Sequence, residues 1–215
     1  MANGSEGAKP PEIKDAIPDE VLDFYDKGVE ALKRANFDYA VELFTSALAL
    51  KQDFADARFH LWFALRERQK RSLDPLKLKT FFRRIVSMFL ALKANSLKRN
   101  GRTWEAIYQL EKAMKLDPNN IGTLKALANC FLSEGQMPNA VKMLEAIPHI
   151  DKKNSKPLSE IGNLYMKMEN YDKARSYYQM ALKVNPYDME AEHSLKDLEA
   201  IKTLKGSFPA DEGKK

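Results

Sequence analysis

Ala106, Ala140 and Ala174 stand 34 residues apart, and so do Asn95, Asn129 and Asn163. A fixed period of this length is what a stack of like supersecondary units leaves in a chain, each unit burying its apolar face on the next. It argues against a compact enzyme fold, whose elements differ from one another. The spacing constrains the architecture before any local structure is read.

Each period reads as two helices. In 155–188, Leu158, Ile161, Gly162 and Tyr165 recur at helical spacing, and Glu169-Asn170 ends that run. Tyr171, Ala174, Tyr178 and Ala181 form the face of a second helix, stopped by Asn185-Pro186. The unit before carries Leu124, Leu127, Ala128, Phe131, Ala140 and Leu144, with Gly135 at the turn. Its Pro148 falls four residues early, so its second helix is expected to end short. The unit 87–120 supplies Leu90, Ala94, Leu97, Gly101, Ala106, Leu110, Ala113 and Pro118. Gly101 and Gly135 suit the left-handed conformation that closes a helix. Gly162, Ala128 and Ala94 are small because two helices of a unit cross there, facing the alanine ladder. The larger Tyr165, Phe131, Leu110 and Tyr178 are expected to fill space between units.

A further unit spans about 21–54, through Phe24, Gly28, Ala31, Phe37, Ala40, Phe44 and Ala47. Ala40 and Ala106 are 66 residues apart, two short of two periods. The segment between begins as a first helix (Leu61, Trp62, Leu65) but has no alanine-centred second one. Ser72-Leu-Asp-Pro75 breaks the chain, with Asp74 as N-cap and Pro75 as first residue of a helix that can run to about Arg99. Residues 189–205, with Leu195, Leu198, Ile201 and Leu204 on one stripe, read as a capping helix.

The pattern Leu158, Ile161-Gly162, Tyr165, Ala174, Tyr178, Pro186 resembles the tetratricopeptide (TPR) repeat, with Leu158 replacing the leading aromatic. The resemblance implies an all-α, TPR-type α-solenoid of antiparallel helix pairs, with an interrupted second repeat and a C-terminal capping helix. The divisions expected are 1–18 as a disordered tail, 19–71 as an N-terminal unit plus the following helix, and 72–86 as a basic connector. Three units over 87–188, the capping helix at 189–205 and a disordered tail at 206–215 complete the chain.

In that family the first helix of each unit lines a concave groove, which the resemblance places on the faces carrying Asn95, Asn129 and Asn163. An amide there can accept from a peptide N–H and donate to its carbonyl. Arg99, Lys125 and Lys167 share the stripe with Lys98 and Lys156, against Glu160, which favours an acidic partner peptide. The family's chaperone-binding members clamp a terminal carboxylate with Lys, Asn, Asn, Lys and Arg. Lys125 and Asn129 fit the first pair, but Glu160 and Glu190 stand where Asn and Lys are needed, so that clamp is not expected.

The net charge of +5 is local: Arg66, Arg68, Lys70, Arg71, Lys77, Lys79, Arg83 and Arg84 lie within 19 residues holding two acids. They surround Phe81, Phe82, Ile85, Met88 and Phe89. One reading is a surface for nucleic acid or anionic membrane; the other puts the aromatics in the core and the charges in solvent. Self-association, one molecule's terminus filling another's groove, is a third possibility. His60, His149 and His193 are isolated from one another, Cys130 is a lone thiol among apolar residues, and no phosphate loop or nucleophile motif occurs. The expectation is a non-enzymatic protein-binding scaffold without cofactor or metal. The opening residues lack a signal-peptide pattern and Ala2 excludes myristoylation, so the expected location is cytoplasmic.

Overall fold

The computed structural model describes residues 17–71 and 78–207, with side chains from 81 to 201 in the second stretch. The expected tails and the Asp74-Pro75 helix start therefore fall largely outside the described residues. Among the described residues eleven helical segments follow one another: α1 (Asp19–Lys33), α2 (Phe37–Leu50), α3 (Ala55–Arg71), α4 (Leu78–Arg99), α5 (Thr103–Leu116), α6 (Ile121–Ser133), α7 (Met137–Glu145), α8 (Ile147–Ile150), α9 (Lys156–Lys167), α10 (Tyr171–Val184) and α11 (Met189–Ser207). No helix among them is long and apolar enough to cross a membrane.

Four antiparallel pairs share one turn. At the end of each first helix a residue with positive φ appears, at Ala35, Gly101, Gly135 and Glu169. The next residue's N–H reaches back five positions: Asn36 to the Ala31 carbonyl, Arg102 to Leu97, Gln136 to Phe131 and Asn170 to Tyr165, at 2.8–2.9 Å. This closure satisfies carbonyls that the helix end leaves without partners. Asn36 and Asn170 then cap the second helices of their units through the Tyr39 and Lys173 N–H groups.

The helices of a pair cross closely at the small-residue slot. A Cβ on Gly28 would stand 2.6 Å from the Phe44 ring, and one on Gly162 would collide with the Tyr178 ring. Tyr178 thus lies over its own unit's first helix, where the sequence had suggested a filler between units. As the early Pro148 implied, α7 has 9 residues against 14 in α5 and α10, and α8 follows as a single turn.

The interrupted repeat is where the chain departs most from a simple array. In α3 the small-residue slot is occupied by Trp62, which is fully buried. An indole there leaves no room for a closely crossing second helix. Instead α3 packs on the second helices that come later. Trp62 Nε1 donates to the Pro118 carbonyl at 2.8 Å, and Arg66 donates to Asn119 Oδ1 at 3.2 Å and the His149 carbonyl at 2.8 Å. Arg58, 3% exposed, donates to Glu111 of α5 at 3.0 Å and to Asn139 of α7 at 2.6 Å, and its guanidinium lies over the Phe131 ring. Asn139 returns a bond to the Asp53 carbonyl. One apolar core therefore runs from Val21 to Leu164, through both sides of the break. The expected boundary at 87 falls inside α4, which is helical without a turn from Leu78 to Arg99.

Candidate groove and basic segment

The first helices α4, α6 and α9 carry the asparagine ladder, and the 34-residue register sets which side chains share its face. Going up one period at a time, Met88, Gly122 and Lys156 align, then Leu92, Ala126 and Glu160, then Asn95, Asn129 and Asn163, then Arg99, Ser133 and Lys167. The structure draws part of the expected set together. Between α6 and α9 a cavity of about 250 Å³ is lined by Lys125, Asn129, Glu160 and Asn163 together with the apolar Leu132, Leu144 and Leu164. Asn163 and Lys167 also border a second hollow, about 380 Å³, against Ser194 and Asp197 of α11. Asn95 and Arg99 stand exposed on α4 at the other end of the row.

The three asparagines are not equivalent. Asn95 and Asn129 are exposed. Asn163 is half-buried beneath α11: its Oδ1 accepts from Tyr178 Oη at 2.7 Å and Ser194 Oγ at 3.5 Å, and its Nδ2 donates to Glu190 at 2.8 Å. Its acceptor is thus filled, and one N–H remains for a ligand. The repeat period carries no sign of this, because α11 lies beyond the last unit. Lys125 has Glu160 at 4.0 Å, which tempers its charge, and Lys98 Nζ donates to the Asn129 carbonyl at 3.1 Å. Positive charge thus concentrates toward α4, and Glu160, Glu190 and Asp197 gather toward α11.

Sequence reading passed over Leu92 and the groove role of Met88, which give the α4 end of this face an apolar surface, 58% and 52% exposed. The 34-residue register to Lys156 and Glu160 was the signal that would have placed them there. It also passed over Asp188, which anchors the far end. Asp188 accepts from Ser155 Oγ at 2.6 Å, Ser159 Oγ at 3.1 Å and the Ala191 N–H at 3.1 Å, tying α9 to the start of α11. Burial works to raise the pKa of this carboxyl, but those donors prevail and hold it below the usual aspartate value.

The basic segment is not a free patch. Arg66 is bonded to Asn119 and His149 as above and pairs with Glu67. Arg68 pairs with Asp38 at 3.3 Å, Lys70 with Glu67 at 2.6 Å, and Arg84 with Asp117 at 3.7 Å. Arg71 donates to the Ala35 carbonyl and lies over the Phe37 ring, and Arg83 donates to the Lys115 carbonyl. Lys77 and the Lys79 side chain lie outside the described residues. The alternative expectation is corrected on its other half: Phe81, Phe82 and Phe89 do not join the core but stand 57%, 59% and 62% exposed. The described charges mostly hold α3 and α4 onto their neighbours. Cys130 is buried, and burial pushes its thiol pKa up.

The family model for the tetratricopeptide repeat matches residues 155–188, and a second tetratricopeptide-repeat model matches 97–159. Residues 97–188 thus belong to the TPR family. Among curated proteins it is similar to Hsp70-Hsp90 organizing protein 1 of Glycine max, 26% identical over 192 residues that cover 86% of this chain and 32% of that protein. It is also similar to Hsp70-Hsp90 organizing protein 3 of Arabidopsis thaliana, 30% identical over 98 residues, 46% of this chain and 18% of the relative. The TPR chain thus spans a third or less of these relatives' length. Among solved structures, the first TPR of Spaghetti (RPAP3) bound to the HSP90 peptide SRMEEVD aligns with a TM-score of 0.48 at 20% identity, covering 56% of this chain and 95% of that one. YrrB, described as a TPR protein with an unusual peptide-binding site, aligns at 0.45 and 16% identity, covering 82% and 92%.

Proposed function

We propose that this TPR chain is a protein-interaction module that holds an extended segment of a partner along α4, α6 and α9. The supporting observation is the cavity between α6 and α9, where Lys125 and Asn129 share the lining with the buried apolar residues Ala128, Leu144 and Leu164. Such a site orients a peptide backbone through amides and fills side-chain space beneath it. Each amide contact is worth about 1 kcal/mol net, so the asparagines set register while burial supplies most of the affinity. Arg99 and Lys125 select acidic residues, and Met88 and Leu92 accept an apolar one at the α4 end.

A terminal-carboxylate clamp is not part of this reading. Glu160 sits beside Lys125, and Glu190 is bonded to Asn163, so two carboxylates occupy the ground that a carboxylate ligand would need. The curated relatives are named as organizing proteins for Hsp70 and Hsp90; this chain shares with them the scaffold and, on our reading, the class of work, without that specific clamp.

Selection from a phage-displayed library of random linear peptides tests the reading. Enriched sequences should place Asp or Glu beside an apolar residue. Binding should weaken about fivefold in Asn129→Ala, the loss of one such amide contact, and further in Lys125→Glu. Both side chains are at the surface, so the fold survives both changes. Failure to enrich any acidic sequence, or equal binding by both variants, rejects the groove as the site.

A further inference from the structure

The α4 helix carries a second stripe, distinct from its groove face. Phe82, Val86, Phe89, Lys93 and Ser96 recur every three to four residues and so share one side of the helix. Phe82, Val86 and Phe89 are 59%, 48% and 62% exposed, and Lys93 and Ser96 are exposed as well. The repeat register shows what this side is for. One period on from Phe89, Lys93 and Ser96 stand Thr123, Leu127 and Cys130 of α6, then Pro157, Ile161 and Leu164 of α9, all buried. In α3 the matching residues are Ala57, Leu61 and Ala64, buried too.

Each of those three helices packs on the second helix of the unit before it: α3 on α2, α6 on α5, α9 on α7. Among the described helices α4 packs only on α5 and α6, with no earlier helix reaching it. The second helix that would precede it is the one the interrupted repeat lacks, since Trp62 turns α3 toward Pro118 instead. The stripe is a helix-binding face on which no helix packs among the described residues.

Charge narrows the occupant. From Pro75 to Trp104 there is no Asp or Glu, while Lys93 sits within the stripe. A second copy of α4 would set like charges against like. The chain's own outer segments, 1–16 and 208–215, lack apolar residues at helical spacing. We infer that this face docks an acidic amphipathic helix from a partner protein, which completes the second repeat in trans.

The chain itself supplies a probe. A synthetic peptide of residues 36–50, whose parent helix covers the matching stripe on α3, has Asp38 and Glu42 as its only charged side chains. Labelled with fluorescein and titrated with the full chain, it should bind saturably by anisotropy. Affinity should fall at least tenfold in Phe82→Glu/Phe89→Glu, and at least threefold when both peptide acids are replaced by Lys. It should stay unchanged in Asn129→Ala, which separates this face from the groove. Because both phenylalanines are exposed, the double variant should melt like the parent by circular dichroism. Absence of saturable binding, or equal binding by the double variant, overturns the proposal. So does co-sedimentation with phosphatidylserine vesicles, or a concentration-dependent dimer, that the same two substitutions abolish; these assign the face to a membrane or to a second copy.

Discussion

Ring size and slot size move together within this one chain. The first and last units place Gly28 and Gly162 under Phe44 and Tyr178, while the middle units place Ala94 and Ala128 where Leu110 and Leu144 stand in the matching slot. A planar ring lying over the partner helix leaves no space for a methyl group, whereas leucine does. Gly28→Ala should therefore destabilise the fold by about 1–3 kcal/mol through overpacking, and Phe44→Leu added to it should recover part of that loss. Urea titration of the two single variants and the pair measures the coupling. Strict additivity would show that the ring and the glycine do not act on each other. Trp62 extends the same logic: the slot that decides how a second helix crosses also decides, when filled by an indole, that none does.

At the scale of the helix, α11 covers Asn163 and closes one end of the groove. Its docking depends on Asp188, on Ser155 just before α9 and on Ser159 within it. Since the folded-state pKa of Asp188 lies below the unfolded one, its stabilisation is complete above about pH 4, the unfolded aspartate value, and is lost as pH falls through the folded value. Asp188→Asn should cost about 1.5–3 kcal/mol at pH 7, the range for bonds to a charged group, and the gap to the parent should close toward pH 3. Denaturant titrations at the two pH values check this; a gap that persists in acid would mean that the carboxylate charge is not what α9 and α11 share. The paired helices, the short α7 and the cap were all readable from spacing, because each depends on residues within one period. The docking of α3 was not. Arg58 and Asn139 are 81 positions apart and sit in no repeating register, and only the bulk of Trp62 in a slot that elsewhere holds glycine or alanine gave a hint of it. The burial of Asn163 was hidden for a related reason, since its partners Glu190 and Ser194 belong to a helix that the repeat does not include.

The whole molecule is a broken array knitted into one body, and the break shapes what it can do. The N-terminal helices occupy the second-helix side of the later units through Arg58, Trp62 and Arg66, which leaves the first-helix side of α4, α6 and α9 open. That open side runs from an apolar, basic end at Met88, Leu92 and Arg99 to an acidic end under α11. A segment lying along it is expected to place its acids near Lys125 and Arg99. The most direct measurement is site-specific photo-crosslinking in cells, with benzoylphenylalanine at position 129 in the groove and, for comparison, at position 183 on the exposed side of α10. The account predicts adducts from position 129 that map to partner segments with Asp or Glu beside apolar residues, and few or none from position 183. Adducts from 183 alone, or adducts from 129 that map to lysine- and arginine-rich segments, would contradict it.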